Sequence, residues 1–178
     1  MEDPKQLLRD RLVTMLSEWK NSGIPTRHGF QIAAEETVKW KKKNNISGLW
    51  ENPPSLVTAT IDDGWGHGLQ LIHLWAKAAG MKVYSMGLLK TPQEIINKCR
   101  QIQPDFLGMT VLQFDTEDDL ILITRNLPSK TYCIVGGPIF SADPELAGRA
   151  GINEVAKNAA DFLDILLRFK PFGECKDG

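Results

Sequence analysis

The sequence predicts an α/β protein built on a doubly wound, five-stranded parallel sheet, with a short helical extension at its N-terminus. Over residues 55–170, short apolar segments rich in β-branched residues alternate with segments whose apolar residues recur at helical spacing. The strand segments are apolar without strict alternation, which is typical of strands covered on both faces. Strands and helices in alternation form right-handed crossover units, and such units assemble into a parallel sheet with helices on both faces.

Residues 1–54 are predicted to form the helical extension and its linker. A first amphipathic helix is expected over residues 4–20, because Asp3 and Pro4 suit an N-cap and a first turn. A second helix is expected over residues 27–43, which place an apolar stripe on one face. The glycine- and proline-containing segment that follows indicates a linker or docking segment.

The elements over residues 55–170 are expected in strict alternation, followed by a tail at 171–178. Strands are predicted at 56–61, 82–85, 105–112, 131–135 and 152–155, and helices at 69–79, 91–102, 116–126, 145–150 and 159–169. Thr91 and Glu94 form a helix start of the capping-box type, and Gly80 is a natural helix end. In a parallel sheet the loops that follow the strands meet at one edge, so a ligand site is expected there.

Composition disfavours several classes of partner and site. With 178 residues and a formal charge of −1, the chain is not expected to present a strongly basic face to nucleic acid. The cysteines, Cys99, Cys133 and Cys175, are too widely spaced to indicate a disulfide framework or a zinc site. No apolar run has membrane length and the N-terminus is charged, so we expect a cytoplasmic protein without membrane association.

A glycine-spaced loop follows the first strand of the predicted sheet. Gly64, Gly66 and Gly68 stand between a predicted strand and a predicted helix, as in dinucleotide-binding proteins. The dinucleotide fingerprint needs two residues between its second and third glycines and an acidic residue at the end of the second strand. Here the second strand ends with Ser85 and Gly87, so a nicotinamide or flavin site is disfavoured. A phosphate-bearing group at the helix N-terminus remains consistent with the loop.

Three short motifs occur in order along the predicted sheet: Asp63-x-Trp65-x-x-Gly68, Thr110-x-Leu112 and Gly136-Gly137. Together they resemble the cobalamin-binding domain of corrinoid proteins and of methionine synthase, whose pattern is Asp-x-His-x-x-Gly, Ser-x-Leu and Gly-Gly. The resemblance covers residues 55–169 and includes the closing run 142–167. It implies a flavodoxin-like (Rossmann-like) fold with cobalamin as the cofactor.

The resemblance also implies where the cofactor binds. The nucleotide tail of cobalamin would enter a cleft between the glycine loop and Gly136-Gly137, with the Thr110 hydroxyl bonding its dimethylbenzimidazole. The cofactor-binding candidates are Asp63, Gly64, Trp65, Gly66, His67, Gly68, Thr110, Leu112, Gly136, Gly137 and Pro138. Structural alternatives stay open, since Gly136, Gly137 and Pro138 also suit a strand-ending turn and Thr110 an ordinary β-branched core position.

One residue departs from the family pattern. Trp65 stands where the family's cobalt-coordinating His would be, and an indole N–H donates hydrogen bonds but does not coordinate a metal. We therefore expect cobalamin bound with its tail base displaced and without a His ligand, the base-off form. His67 is an alternative cobalt ligand, unless it is a loop residue exposed to water. Asp63 is expected to accept the Trp65 indole N–H or to cap the next helix, and His73 to be structural.

The resemblance implies the corrinoid-carrying subunit of a methyl-transfer system. In such a system cobalt takes up and releases a methyl group, and methyltransferase partner proteins supply the substrate sites. The residues themselves identify no catalytic acid, base or nucleophile in this chain. Two alternatives remain: a non-catalytic sensor or carrier of cobalamin or another tetrapyrrole, which the missing His favours, and a degenerate domain that mediates protein contacts.

Overall fold

A computed structural model describes residues 3–63 and 66–171 of the chain. Its elements, in order, are α1 (Pro4–Ser22), α2 (Arg27–Lys43), β1 (Ser55–Ala59), α3 (His67–Ala79), β2 (Lys82–Gly87), α4 (Pro92–Ile102), β3 (Phe106–Thr110), α5 (Glu117–Asn126), β4 (Tyr132–Gly136), α6 (Ile139–Ala142), α7 (Leu146–Arg149), β5 (Glu154–Val155) and α8 (Ala159–Arg168). None of the helices in these two ranges is both long enough and apolar enough to cross a bilayer.

The five strands form one parallel sheet in the order β2-β1-β3-β4-β5, and the predicted flavodoxin-like fold is confirmed. Helices α3 and α8 cover one face of the sheet, and α4 and α5 cover the other. Strand β2 lies beside β1 at one edge of the sheet, and the chain then crosses over to place β3 on the other side of β1. The sheet therefore has its topological switch point between β1 and β3, where proteins of this architecture bind their ligands.

Local hydrogen bonds explain why most helices begin and end close to their predicted bounds. The Asp3 carboxylate accepts from the Lys5 N–H at 3.0 Å, and Thr91 and Glu94 form the expected capping box. Helix α3 ends at Gly80, whose left-handed conformation (φ +93°) suits a glycine. Helix α6, a single turn that begins after Pro138, was not predicted, because four residues are too few to show a helical period.

Strands β1 and β3 are shorter than predicted. Strand β1 ends at Ala59, although the Thr60 N–H still donates to the carbonyl oxygen of Gly87, the last residue of β2, at 3.1 Å. The Thr60 carbonyl oxygen instead accepts the N–H of Lys90, in the loop after β2, at 2.9 Å. Strand β3 ends at Thr110, although the Val111 N–H still donates to the Gly136 carbonyl oxygen at 2.9 Å. Pairing with neighbouring strands therefore ends within one residue of Ala59 and Thr110, and Thr60, Asp62 and Leu112 lie at the carboxyl edge.

Helices α1 and α2 pack outside α3 and α8 and share their apolar core. Leu8, Leu12, Leu16 and Phe30 are buried in the same cluster as Trp75 of α3. The Trp19 ring of α1 packs edge to face against the rings of Phe30 and Trp75, with centroids 5.1 and 5.6 Å away. The N-terminal helices are thus part of the layer that covers the α3 and α8 face of the sheet.

Polar contacts fix the positions of these two helices. The Arg9 guanidinium of α1 donates to the Leu167 carbonyl oxygen of α8 at 2.7 Å. At the end of α2, the Lys41 ammonium donates to the carbonyl oxygens of Lys77 (2.6 Å) and Ser47 (3.2 Å). Burial, and then the neighbouring charge of Lys77, lower the pKa of Lys41. Lys41 therefore holds the C-terminal end of α2 against the C-terminal end of α3.

Candidate functional site

A cleft of about 420 Å³ opens at the carboxyl edge of the sheet. Its walls are the first turn of α3, the residues just beyond β1, β3 and β4, and the start of α8. Its size lies within the range of small-molecule sites in proteins. The cleft is located at the switch point of the sheet, where a ligand site was expected.

The cleft exists because the sheet presents small side chains at this end. On the face toward α3 and α8, the amino half of the sheet carries large residues, Leu56, Phe106 and Ile134, all buried in the core. Alternate positions nearer the carboxyl ends carry small ones: Thr58, Thr60, Gly108, Thr110 and Gly136. Helices α3 and α8 pack on the large residues, so a space, the cleft, is left between these helices and the small residues.

The first turn of α3 lies against the side chain of Thr110. A Cβ atom added at Gly68 would stand 2.7 Å from Thr110 Cγ2, so only glycine allows the helix to approach this closely. The Thr110 side chain lines the cleft and is half-buried, and its hydroxyl has no hydrogen-bond partner among the described residues. This hydroxyl is available to a ligand in the cleft.

Thr60 and Asp62 tie the ends of β1 and β3 together, and the sequence analysis did not identify them. The Thr60 hydroxyl donates to the Thr110 carbonyl oxygen at 2.6 Å, with Asp62 Oδ1 3.0 Å away as a second acceptor. The Asp62 carboxylate, only 2 % exposed, accepts the Leu112 N–H at 2.6 Å. These bonds hold Thr110 and Leu112 in place beside the cleft. Two polar residues directly after an apolar strand were the only signal for this role.

Gly136 and Gly137 follow β4 on another wall of the cleft. Gly137 has φ +129°, and a Cβ there would lie 1.9 Å from the Val111 carbonyl oxygen. A Cβ at Gly136 would lie 2.9 Å from the Ala156 carbonyl oxygen. The expected reason for these glycines was the close approach of a ligand tail. The structure supplies another, since neighbouring backbone already excludes side chains at both positions.

Eight of the eleven predicted site residues line this one cleft. They are Gly66, His67, Gly68, Thr110, Leu112, Gly136, Gly137 and Pro138. His67 is the first residue of α3 and its side chain is exposed. Asp63 is the one described residue among the predicted site residues that does not line the cleft. Gly64 and Trp65 lie outside the described residues.

Asp63 is exposed and is not among the residues that line the cleft. Its carboxylate lies 3.5 Å from the side-chain amide nitrogen of Gln113. The prediction that Asp63 caps the next helix is wrong, because α3 has Gly66 at its N-cap and no side-chain cap bond. The other expectation, a bond from the Trp65 indole, falls on a residue outside the described ranges.

The cleft is apolar at its floor and cationic at its mouth. Ile134 and Phe162 supply buried apolar surface. Arg27, the first residue of α2, and Lys157, just before α8, also line the cleft, and both are exposed. Neither cation was predicted, because no local pattern connects residue 27 or residue 157 with the glycine loop.

An apolar rim lies beside the mouth, on the loops after β2 and β3. It consists of Leu88, Leu89, Leu112 and Phe114, all exposed. Phe114 is 71 % exposed and Leu89 65 % exposed, which is unusual for side chains of this size. Leu112 belongs both to the rim and to the wall of the cleft. The rim and the cleft are therefore continuous at the same edge of the sheet.

Other residues singled out by their chemistry have structural roles. His73 of α3 is half-buried, and its Nε2 lies 2.5 Å from the hydroxyl of Thr58 in β1. Cys99 and Cys133 are buried in the core, and burial raises the pKa of each thiol to about 12, so neither is a thiolate nucleophile. Across residues 3–63 and 66–171, no three His, Cys, Asp or Glu side chains are grouped to hold a metal ion.

No family model matches the chain, and no curated protein matches it. Solved structures do match. A cobalamin-binding protein from Desulfitobacterium hafniense DCB-2 is similar with a TM-score of 0.77 at 20% identity, over 93% of this chain and 82% of that one.

Two further similar structures come from Methanosarcina barkeri. The methanol:cobalamin methyltransferase complex MtaBC has a TM-score of 0.62 at 18% identity, over 92% of this chain and 66% of that one. The monomethylamine corrinoid protein has a TM-score of 0.55 at 15% identity, over 90% of this chain and 95% of that one. At these identities the likeness shows a shared fold, and the coverage of this chain extends beyond the residues of the sheet.

Proposed function

We propose that this protein binds cobalamin and is the corrinoid-carrying subunit of a methyl-transfer system. The observation that carries the proposal is the cleft at the switch point, apolar at its floor, cationic at its mouth and continuous with an apolar rim. The nucleotide tail of cobalamin has a matching order of groups: an aromatic base, a ribose and a phosphodiester. The corrin ring to which this tail is attached has a broad, largely apolar face.

The residues of the cleft fit the tail group by group. The dimethylbenzimidazole would pack against Ile134 and Phe162, and the Thr110 hydroxyl, which no described residue engages, would donate to its free ring nitrogen. Thr60 and Asp62 would keep Thr110 in position through their bonds at the end of β3. A base held in this cleft is held away from cobalt, so the proposed binding mode is base-off.

The corrin ring would lie over the apolar rim at the mouth. Leu89, Leu112 and Phe114 offer it exposed apolar surface whose burial is favourable. Bound cobalamin supplies a cobalt centre that accepts and donates a methyl group. The chain's own residues bind the tail, support the ring and exclude water beneath it. Asp63, Gly64 and Trp65 remain proposed cofactor contacts of the loop before α3.

The similar structures support this assignment at the level of the fold. One is described as a cobalamin-binding protein, one as a corrinoid protein, and one as a cobalamin methyltransferase complex. The complex motivates the further proposal that this chain acts with a methyltransferase partner. We assign cofactor binding to residues 55–170 and the contact with α3 and α8 to the helical extension of residues 1–54.

The second candidate is a cobalamin carrier or sensor that transfers no methyl group. The sequence observation that favours it is Trp65 at the position of the family's axial His. Loss of the methyl group from bound methylcobalamin distinguishes the two candidate functions. Protein loaded with methylcobalamin and kept in the dark with a thiol acceptor and cell extract loses the methyl group in a methyl-transfer system. A carrier retains the methylcobalamin spectrum.

Titration with hydroxocobalamin, followed in the visible spectrum, tests cofactor binding. We expect saturable binding of one cofactor per chain, with the spectral change of a displaced tail base on reduction to Co(II). The Gly68→Ala variant should bind more weakly, since its Cβ would displace Thr110 in the cleft. Gly148→Ala is the matched control, because a Cβ at Gly148 meets nothing within 4 Å. Absence of saturable binding to the unmodified protein would rule out the proposal.

A further inference from the structure

We propose that Arg27 and Lys157 form an anion-binding subsite at the mouth of the cleft, which binds the phosphodiester of the cofactor tail. The inference rests on the proposed function and extends it to a residue of the N-terminal helices. Both side chains line the cleft and both are exposed. They come from two different elements, α2 and the loop before α8, so an anion between them would be held from two directions.

Arg27 differs from those arginines of the chain that carbonyl or carboxylate groups hold in place. Arg9 donates to the Leu167 carbonyl oxygen, and Arg149 forms ion pairs with Glu117 and Asp143. Arg168 pairs with Glu154 and Asp164. Within the described residues Arg27 makes no hydrogen bond or ion pair, although it borders a cleft. Its guanidinium is free to bind an anion.

The packing of α2 explains why Arg27 reaches the cleft. Helix α2 runs alongside α3 in the same direction. Lys41 joins their C-terminal ends through the bond to the Lys77 carbonyl oxygen, while Arg27 and His67, at their N-terminal ends, border the cleft together. The Thr26 hydroxyl accepts the Gly29 N–H at 3.2 Å and fixes the start of α2. Arg27 therefore has a fixed backbone, and its side chain has no partner in the part of the chain that the structure describes.

Lys157 is anchored in the same way on the other element. Its N–H donates to the Asp161 carboxylate at 2.9 Å, and the preceding N–H, of Ala156, donates to the Val135 carbonyl oxygen at 2.8 Å. The Lys157 ammonium has no partner among the described residues. The backbone bonds thus fix the position of Lys157, and its ammonium can bind an anion at the mouth of the cleft.

The charge balance of the cleft favours an anionic ligand. The acidic residue that lines the described cleft is Asp62, whose carboxylate already accepts the Leu112 N–H. It is buried, whereas Arg27 and Lys157 stand in the open mouth. A guanidinium binds two phosphate oxygens at once and an ammonium adds a point charge. The apolar floor then selects a phosphate ester that carries an aromatic base.

The test compares two corrinoids that differ only in the tail. Hydroxocobalamin carries the phosphodiester and base, whereas cobinamide has the corrin ring without them. We expect Arg27→Gln to weaken hydroxocobalamin binding by about tenfold and Lys157→Gln by less, with cobinamide binding unchanged in both. Raising the salt concentration should shrink the difference between unmodified protein and Arg27→Gln. Arg125→Gln is the matched control, an exposed arginine of α5 on the opposite face of the sheet.

Each outcome separates the subsite from the proposed function. If the unmodified protein does not bind hydroxocobalamin, both the function and the subsite are wrong. If it binds, and Arg27→Gln binds equally well, the subsite alone is wrong. An equal loss for hydroxocobalamin and cobinamide also overturns it, because the effect then does not come from the tail. Competition by adenosine 5′-monophosphate as strong as that by hydroxocobalamin, and lost in Arg27→Gln, would assign the subsite to a free nucleotide instead.

Discussion

Gly68 in the first turn of α3 lies directly against the side chain of Thr110 at the end of β3. A Cβ atom at residue 68 would be 2.7 Å from Thr110 Cγ2 and 3.8 Å from its hydroxyl oxygen. The methyl group therefore packs against the helix, while the hydroxyl has no partner among residues 3–63 and 66–171. One threonine thus has two separable functions, the spacing of α3 from the sheet and a hydrogen bond to a ligand.

Two substitutions at Thr110 separate these functions. Thr110→Val keeps the shape and removes the hydroxyl, so we expect cobalamin binding about threefold to tenfold weaker, as for one lost hydrogen bond. Thr110→Ser keeps the hydroxyl and should bind within about threefold of the unmodified protein. Titration of both variants with hydroxocobalamin provides the measurement. Equal affinities for the Val variant and the unmodified protein would make Thr110 purely structural.

The close contact at Gly68 predicts a rescue. Gly68→Ala places its Cβ against Thr110 Cγ2, so the Thr110 side chain must move and cofactor binding should fall. Adding Thr110→Ser removes that methyl group, and the nearest remaining atoms, at 3.5 and 3.8 Å, are at ordinary contact distance. The double variant should regain most of the affinity. Failure of the rescue, with unchanged thermal stability, would show that residue 68 acts on the ligand directly.

Local signals in the sequence were sufficient for most of the fold. The helix starts at Asp3 and Thr91 and the helix end at Gly80 depend on residues within one turn, so the sequence alone predicts them. The alternation of strands and helices similarly predicted the parallel sheet. Strand ends were less accurate, because β1 ends where Thr60 bonds to the loop after β2, a contact between distant residues.

The candidate site was predictable only where motifs mark it. The glycine loop, Thr110 and Gly136-Gly137 were identified by the resemblance, and the structure brings them to one cleft. Arg27 lies in the N-terminal helices and reaches the cleft through the packing of α2 on α3, which no local pattern encodes. Gly137 was explained by ligand approach, yet the Val111 carbonyl oxygen already excludes a side chain there.

Gly137 is accordingly expected to be essential for stability without any ligand. Gly137→Ala should lose more than about 3 kcal/mol of unfolding free energy or fail to fold, because its Cβ would overlap the Val111 carbonyl oxygen. Gly23→Ala is the control, with φ +108° but nothing within 4 Å, and should cost about 1–3 kcal/mol from backbone strain alone. Urea denaturation of the cofactor-free proteins compares them. Similar losses at the two positions would contradict a role for the overlap.

The burial of His73 beside β1 predicts a pH dependence of stability. Burial lowers the pKa of His73, so the folded protein binds a proton less readily than the unfolded chain, whose histidine has a pKa near 6.5. The stability that the neutral, buried His73 contributes is therefore complete above the unfolded pKa. It is lost as the pH falls through the lower pKa of the folded protein. Urea midpoints should decrease between pH 7.5 and pH 5.5, and His73→Gln should reduce that decrease. The exposed His28→Gln control should leave the decrease unchanged.

The last prediction concerns Trp65, which lies outside the described residues and is argued from ligand chemistry. An indole nitrogen has no lone pair to give to cobalt, and the proposed cleft holds the tail base away from the metal. Cobalt without a lower nitrogen ligand has less electron density, so reduction of Co(II) to Co(I) should be easier. We therefore expect the electron paramagnetic resonance spectrum of the Co(II) protein to show a base-off form without nitrogen superhyperfine splitting. Trp65→His should introduce that splitting and lower the midpoint potential.

Nitrogen splitting in the spectrum of the unmodified protein would contradict the prediction. Its loss in His67→Ala would then identify His67 as the ligand, and its persistence would identify the tail base.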